Sequence, residues 1–287
     1  MFPASFEYHV PKTVLEAVGV LAQHKDAKIL AGGHSLLPLM KLRLAQPATL
    51  VDIGRIKDLV KIASDAHSTT IGALTTHALI AASQDLHARF PALVDAAKTI
   101  GDTQVRNRGT IGGSLAHADP AADYPAVILA LGAEMHAMGV SGTRTIKASE
   151  FFTDLMTTAL KSNEVLIEVR LPALAPRTGS AYVKFEQPAS RFAIVGACAC
   201  VTVDAMGVCT RASIGITGAC ATVKRATATE AALQGKQLND ATINAAAAQA
   251  AHSMDCLSDI HASADYRAHL VTVMTARAIK AAMARVK

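Results

Sequence analysis

The fold is decided by the stretch Ala31-Gly32-Gly33-His34-Ser35-Leu36-Leu37-Pro38-Leu39-Met40-Lys41. The apolar run that enters it, residues 29–31, is typical of the end of a buried strand. Paired glycines let the backbone turn tightly, and successive N–H groups at such a turn bind anions. Ser35 then stands just ahead of an apolar segment, which is the position of a helix N-cap. This order favours a phosphate-binding turn, and a turn without a ligand is the alternative.

A second stretch contains the same ingredients. Residues 107–123 are Asn-Arg-Gly-Thr-Ile-Gly-Gly-Ser-Leu-Ala-His-Ala-Asp-Pro-Ala-Ala-Asp. Thr110 and Ser114 flank the paired glycines, and Asp123 precedes the apolar run 124–131. Two such turns suit two phosphates or one diphosphate, and a carboxylate nearby accepts hydrogen bonds from ribose-like hydroxyls. Neither stretch contains the nicotinamide fingerprint G-x-G-x-x-G or the P-loop pattern.

These motifs resemble those of the FAD-binding medium subunits of molybdenum hydroxylases. That family includes aerobic carbon monoxide dehydrogenase, xanthine dehydrogenase and bacterial N-heterocycle dehydrogenases. The resemblance rests on Ala31 to Ser35 and Thr110 to Ser114, and it covers essentially the whole chain in the family's order. Many relatives carry Asn where this chain has Ser114, which keeps a donor but has a shorter reach. Other matching segments are Val51-Asp52-Ile53, Ile71-Gly72-Ala73-Leu74-Thr75-Thr76, Ser258-Asp259-Ile260 and Tyr266-Arg267.

The order of the remaining segments predicts an α+β fold. A capping box at Thr13 and Glu16 opens a helix between two strands, so a small βαβ unit precedes the first glycine turn. Pro38 is expected to break the short helix after that turn. Proline and glycine concentrate at residues 172–179, which predicts a domain boundary. Beyond it, strands followed by alanine-rich helices are typical of an α+β unit. The strands are expected at residues 181–185, 193–203 and 209–216, and the helices at 221–233, 239–253 and 264–286.

The resemblance implies two domains. The first, residues 1–175, is an FAD-binding domain of the vanillyl-alcohol-oxidase (PCMH) type, with parts at about 1–55 and 56–175. The second, residues 176–287, resembles the C-terminal domain of the carbon monoxide dehydrogenase flavoprotein. It is expected to combine a three-stranded antiparallel sheet with a helical bundle.

The resemblance also assigns FAD to this chain. In the family the two glycine motifs flank the flavin, so His34 and His117 are expected beside it; a loop histidine without a role is the alternative. Phe192 lies in a segment that resembles the one returning toward the isoalloxazine, although a core aromatic gives the same pattern. Asp123 is expected to bind ribityl or ribose hydroxyls, and its alternative role is a helix N-cap. The expected cofactor-binding residues are Ala31, Gly32, Gly33, His34, Ser35, Leu36, Thr110, Ile111, Gly112, Gly113, Ser114, His117, Asp123 and Phe192.

Composition excludes several classes of protein. The net charge is +5, but the basic residues are dispersed and there are only four Tyr, seven Phe and no Trp, which argues against nucleic-acid binding. No apolar run approaches the ~20 residues of a membrane span. The N-terminus lacks the pattern of a signal peptide. Five cysteines, an odd number, favour reduced thiols and a cytoplasmic location.

The sequence predicts neither a metal site nor a catalytic side chain in this chain. Cys198 and Cys200 are too close together for a zinc or iron–sulfur site. Motifs of zinc proteases and serine hydrolases are missing. The redox chemistry is therefore expected to belong to the cofactor.

The resemblance implies an electron-transfer function within a heterotrimer. A large molybdenum subunit oxidises CO, an aldehyde or an N-heterocycle, and a small subunit with two [2Fe–2S] clusters passes the electrons to the flavin of this chain. An external acceptor receives them next, and two heterotrimers form a dimer. One alternative is a self-sufficient FAD oxidase, although the roughly 110 residues after the boundary form only one small domain. The other alternative is an assembly module without flavin.

Overall fold

The computed structural model describes residues 2–286. Within these residues, no helix combines the length and apolar character needed to cross a bilayer. The strands are β1 (Glu7–His9), β2 (Lys28–Leu30), β3 (Thr49–Asp52), β4 (Ile62–Ser64), β5 (Ser68–Gly72), β6 (Glu134–Gly139), β7 (Gly142–Lys147), β8 (Phe152–Asp154), β9 (Thr157–Thr158), β10 (Val165–Pro172), β11 (Thr178–Glu186), β12 (Ala193–Val203), β13 (Cys209–Thr217) and β14 (Lys224–Arg225). The helices are α1 (Val14–Gln23), α2 (Leu36–Lys41), α3 (His77–Ala82), α4 (Gln84–Arg89), α5 (Pro91–Thr99), α6 (Thr103–Arg108), α7 (Ile111–His117), α8 (Tyr124–Ala130), α9 (Ala148–Phe151), α10 (Thr227–Leu233), α11 (Asp240–Ala247) and α12 (Ala264–Met283).

The first sheet is parallel, with the strand order β1-β3-β2. Helix α1 covers it and begins where predicted, since Thr13 Oγ1 accepts the Glu16 N–H at 3.1 Å. Buried side chains of α1, among them Val18 and Leu21, belong to one core cluster with Val51 of β3. Because parallel strands end at the same edge, β2 delivers the first glycine turn to the carboxyl edge of this sheet.

The predicted break at Pro38 is wrong. Helix α2 runs from Leu36 to Lys41 without interruption. Pro38 is its third residue, and the N–H groups of the first turn have no partner inside a helix. A proline is therefore tolerated at this position.

The second sheet is antiparallel, in the order β4-β5-β10-β6-β7. The second glycine motif packs beside it, but as the first turn of α7 and not as the predicted loop. A Cβ on Gly112 would lie 2.5 Å from Ala73 Cβ and 2.7 Å from its carbonyl oxygen. Only glycine permits such a close approach of α7 to the segment after β5.

The C-terminal sheet forms the middle layer of the molecule. Its order is β11-β12-β13-β14, so it has a fourth, two-residue strand where three were predicted. Cys198 and Cys200 of β12 belong to the core shared with the FAD-binding part, whereas Ala197 and Ala199 belong to the core beneath α12. Burial on both faces explains why β12 is an almost continuous apolar run.

A buried ion pair joins the two parts of the chain. Lys184 Nζ lies 3.0 Å from the Asp123 carboxylate, and the exposed fractions of these side chains are 3% and 5%. The Tyr182 hydroxyl donates to Asp123 at 2.6 Å, and Lys184 also donates to the Thr99 carbonyl at 2.9 Å. Burial raises the pKa of the Asp123 carboxyl, while Lys184 and Tyr182 act in the opposite direction.

These contacts bear on the role expected for Asp123. Its side chain caps no helix, although Asp123 stands directly before α8, and its two oxygens are bonded to Tyr182 and Lys184. Asp123 therefore occupies the N-cap position of α8 but makes no capping hydrogen bond with its side chain. Binding of ribose or ribityl hydroxyls by Asp123 stays a prediction. Both oxygens of its carboxylate already accept hydrogen bonds within the protein.

Removal of one charge from this pair should strongly destabilise the fold. We expect Lys184→Met to lower the free energy of unfolding by about 3–5 kcal/mol, because the Asp123 carboxylate stays buried without its cation. The double variant Asp123→Asn/Lys184→Met should recover much of this loss, since neither charge remains and Asn still accepts from Tyr182. Urea unfolding measures the free energy of unfolding of the single and the double variant.

Lys280→Met is the matched control for this experiment. Its partner, Asp240, lies 3.0 Å away but is 82% exposed, and exposed pairs contribute ~1 kcal/mol or less. A loss for Lys184→Met no larger than that for Lys280→Met would contradict the importance of the buried pair.

Candidate functional site

The two glycine motifs are neighbours in space. A Cβ on Gly32 would lie 2.2 Å from the carbonyl oxygen of Arg108 and 2.8 Å from Cα of Gly109. A Cβ on Gly113 would lie 3.7 Å from Cβ of Ala31. The first turn therefore packs directly against the backbone that leads into the second motif. Position 32 must be glycine because this contact leaves no room for a Cβ.

The first turn presents a row of free backbone donors. Gly33 has a φ of +79°, in the left-handed region. Within residues 2–286, no acceptor takes the N–H groups of residues 32–36. Ser35 occupies the expected N-cap position of α2, but its hydroxyl makes no capping hydrogen bond. Ser35 and the N–H groups are thus available to an anionic ligand.

The second motif uses its N–H groups inside the protein. Ile111 donates to the Thr75 carbonyl at 3.1 Å and Gly112 to the Ala73 carbonyl at 2.9 Å. Gly113 donates to Thr110 Oγ1 at 3.1 Å. The expectation of a second row of free backbone donors is therefore wrong.

Two side chains of α7 remain available. Ser114 and His117 are half-buried and three residues apart, so they share one face of the helix. Contact of the second motif with the cofactor stays a prediction. Ser114 and His117 are the polar side chains of α7 that are available for such a contact.

A buried histidine that sequence reasoning missed supports the second motif. The His77 N–H donates to the Gly109 carbonyl at 3.0 Å, and its Nδ1 lies 3.1 Å from the Tyr124 hydroxyl. A Cβ on Gly109 would lie 2.5 Å from His77 Nε2. Burial lowers the pKa of His77 to about 4, and positive charge on His34 and Arg106 adds to this. The only signal was its position directly after the family-like Thr75-Thr76.

A cavity of about 230 Å³ lies between the segment after α7 and the C-terminal domain. Its lining includes Asp119, Phe192, Asp259, His261 and Arg267. Phe192 is 46% exposed, so the alternative that it is a core aromatic is wrong. The cavity wall therefore carries an exposed aromatic ring of the C-terminal domain, and its contact with the isoalloxazine stays a prediction.

Arg267 holds two sides of this cavity together. It is 4% exposed, and its guanidinium donates to the carbonyls of Ile194 at 2.6 Å and Gly218 at 2.7 Å. It also donates to the Asp259 carboxylate at 2.6 Å. Two of the family-like segments near the end of the chain therefore act as one clamp on the start of β12.

Comparisons with known proteins agree with this geometry. Residues 4–174 match the model of the FAD-binding domain in molybdopterin dehydrogenase, and residues 180–282 match the CO dehydrogenase flavoprotein C-terminal domain. The carbon monoxide dehydrogenase medium chain of Hydrogenophaga pseudoflava is 42% identical over 286 residues, which are 99% of each chain. Subunit alpha of the 6-hydroxypseudooxynicotine dehydrogenase complex of Paenarthrobacter nicotinovorans is 39% identical over 100% of this chain and 97% of its own.

A solved structure shows the same fold. It is the carbon monoxide dehydrogenase of Hydrogenophaga pseudoflava in a form that lacks the Mo-pyranopterin moiety of the molybdenum cofactor. The superposition has a TM-score of 0.96 at 43% identity and covers 100% of both chains.

Fold and motifs define a flavoprotein with an FAD-binding domain and a flavoprotein C-terminal domain. The chain belongs to the FAD-binding medium subunits of the molybdenum hydroxylases, a family that includes the medium chain of carbon monoxide dehydrogenase. The predicted family, cofactor and fold class are thereby confirmed. The individual FAD contacts and the exact domain bounds, 1–175 and 176–287, stay predictions.

The contribution of the buried His77 to the free energy of unfolding should depend on pH. Burial lowers the pKa of His77 to about 4 in the folded chain, against an ordinary value of 6.5. Between these values the unfolded state binds more protons, so stability falls as the pH is lowered. From about pH 7 to about pH 5, the free energy of unfolding of the parent should fall by roughly 2 kcal/mol more than that of His77→Gln.

The control for this measurement is Tyr124→Phe. This variant removes the hydrogen-bond partner of His77 but leaves the His77 imidazole buried. The free energy of unfolding should therefore keep its dependence on pH. Parallel pH curves for the parent and His77→Gln would show that the buried ring is not the titrating group.

Proposed function

We propose that this chain is the FAD-carrying electron-transfer subunit of a heterotrimeric molybdenum hydroxylase. The observation that carries the proposal is the row of free N–H donors at residues 32–36. It lies against the second family motif, in a chain matched by both family models. When bound, FAD would supply the redox chemistry that connects two [2Fe–2S] clusters of a small subunit with an external acceptor.

The residues of this chain bind and orient the cofactor. The N–H groups of residues 32–36 and the Ser35 hydroxyl hold the diphosphate. Ser114 and His117 would line the opposite side, next to Thr110, whose hydroxyl oxygen caps α7, and His34 would lie beside the phosphates. Phe192 packs against the isoalloxazine, and the Arg267 clamp keeps this part of the C-terminal domain in position. The neutral His77 supports the second motif without adding charge beneath it.

The cysteines of this chain support the placement of the clusters in a partner. Burial raises the pKa of Cys200 to about 11, and burial with Cys256 nearby raises that of Cys220 to about 12. The sequence also lacks the cysteine spacing of an iron–sulfur site, since a single residue separates Cys198 from Cys200.

The complete enzyme then requires two further chains. We propose a large subunit that oxidises the substrate at a molybdenum cofactor and a small iron–sulfur subunit, with two heterotrimers forming a dimer in the cytoplasm. The names of relatives support the class of enzyme: one is a carbon monoxide dehydrogenase chain and another belongs to a 6-hydroxypseudooxynicotine dehydrogenase complex.

Gly33→Ala tests the first turn. Alanine at a φ of +79° is strained, and its Cβ would lie 2.8 Å from a Leu37 methyl group. The turn must shift, so its donors lose their alignment with the diphosphate. We expect the Kd for FAD, measured by flavin fluorescence, to rise by roughly tenfold or more, about 1.4 kcal/mol.

Gly207→Ala is the control with matched backbone strain. Gly207 has a φ of +81° and nothing within 4 Å of an added Cβ. It should lose similar stability without any loss of FAD affinity. If both variants bind FAD like the parent, the first turn is only structural and the phosphate role assigned to it is incorrect.

Electron entry is tested with the chain alone. Under anaerobic conditions, the isolated FAD-loaded chain should stay oxidised when CO, aldehydes or N-heterocycles are added. Its flavin absorbance should bleach once the molybdenum and iron–sulfur chains of the same enzyme are supplied with the substrate.

Two outcomes would overturn this assignment. Direct bleaching by a substrate, in a preparation free of molybdenum and iron, would instead support a self-sufficient oxidase. A colourless chain that takes up no FAD after incubation and desalting would support an assembly module.

A further inference from the structure

A cluster of three potential metal ligands lies at the opposite end of the first sheet from the glycine turn. His9 Nε2 and His24 Nδ1 lie 3.7 and 4.0 Å from the same oxygen of Glu7. One ligand atom from each residue lies within 4.8 Å of the other two. Glu7 pairs with Thr49 at the start of β3, whereas the glycine turn follows the end of β2. The cluster is therefore separate from the flavin site.

Glu7 and His9 lie on β1, and His24 is the C-cap residue that follows α1. Glu7 and His9 are two residues apart on β1, so their side chains project from the same face. The Glu7 N–H donates to the Ala48 carbonyl at 2.8 Å, which anchors the strand at this point. His24 ends α1, and its N–H donates to the Val20 carbonyl at 3.0 Å. The cluster thus joins the strand and the helix that follows it.

We propose that Glu7, His9 and His24 form a binding site for a divalent metal ion of the zinc type. Two imidazoles and one carboxylate are an established zinc donor set. Imidazole ligands favour zinc, nickel and copper, whereas magnesium and calcium prefer sites made of oxygen atoms alone. The donor set therefore selects against the hard cations.

The distances fit such an ion after small side-chain rotations. Zinc binds nitrogen and oxygen at ~2.0–2.2 Å, which puts neighbouring tetrahedral ligand atoms ~3.3 Å apart. The observed distances to Glu7 exceed this by about 0.4 and 0.7 Å, and all three ligand atoms lie within 4.8 Å of one another. The rings of His9 and His24 are 5.3 Å apart and tilted by 47°, so they do not stack face to face.

Solvent can complete the coordination. The side chains of Glu7, His9 and His24 are 69%, 37% and 33% exposed, so water has access to a fourth position. The hydroxyl of Thr49, at 3.4 Å from His24 Nδ1, is a further polar group beside the cluster. The site lacks the closed shell of four protein ligands that is typical of structural zinc.

Calorimetric titration of the full-length, FAD-loaded chain with Zn²⁺ tests this proposal. We expect one Zn²⁺ per chain at this site. His9→Gln, His24→Gln and Glu7→Gln should each weaken binding by roughly tenfold or more, at least as much as loss of a supporting contact does. Co²⁺ should give d–d absorption bands in the difference spectrum of the parent and lose them in His24→Gln.

Matched controls separate this cluster from other metal-binding groups of the chain. His252→Gln removes an exposed histidine far along the chain, and Cys256→Ser removes the least buried of the free thiols. Neither should change the affinity. The proposal is overturned if Zn²⁺ does not bind at one ion per chain. It is also overturned if each of the three ligand variants binds Zn²⁺ as tightly as the parent, or if only Cys256→Ser abolishes binding. FAD content, measured by absorbance in the same samples, reports on the flavin site independently.

Discussion

The structure depends on the ion pair between Asp123 and Lys184. Asp123 belongs to the segment that follows the second glycine motif, and Lys184 belongs to the first long strand of the C-terminal sheet. A charge buried on either side alone would be strongly unfavourable, so each domain requires the other to satisfy it. The Tyr182 hydroxyl completes the set of bonds at Asp123. The ion pair therefore fixes the orientation of the C-terminal domain, so that the cavity around Phe192 faces the FAD-binding part.

The two glycine motifs contribute differently, although their sequences are similar. In the first, glycine produces a left-handed turn and leaves backbone donors free. In the second, Gly112 lets a helix approach the backbone at Ala73, and the donors are consumed in holding that helix. A resemblance in sequence therefore covers two physical uses of glycine, conformational freedom in one case and small volume in the other. The free backbone donors that suit an anionic ligand belong to the first motif.

Local patterns predicted much of the fold because strands, caps and turns depend on neighbouring residues. The capping box at Thr13 and the three long C-terminal strands are present. The helix at the second motif was missed because its glycines disfavour helix locally, whereas the Thr110 cap and packing against Ala73 stabilise it. The role of His77 and the partner of Asp123 arise from residues far apart in sequence. No periodicity or spacing could have predicted them.

The position of α12 has a consequence for synthesis of the chain. This helix covers the outer face of β12, whose opposite face packs against the FAD-binding part. While residues 264–283 are still missing from the growing chain, the ribosome-bound intermediate exposes an apolar sheet surface. Exposed apolar strands are prone to association, so a chaperone that shields this face during translation would increase the yield of folded protein. Truncation within α12 would leave the same face permanently uncovered, and the expected outcome is aggregation instead of a shorter functional subunit.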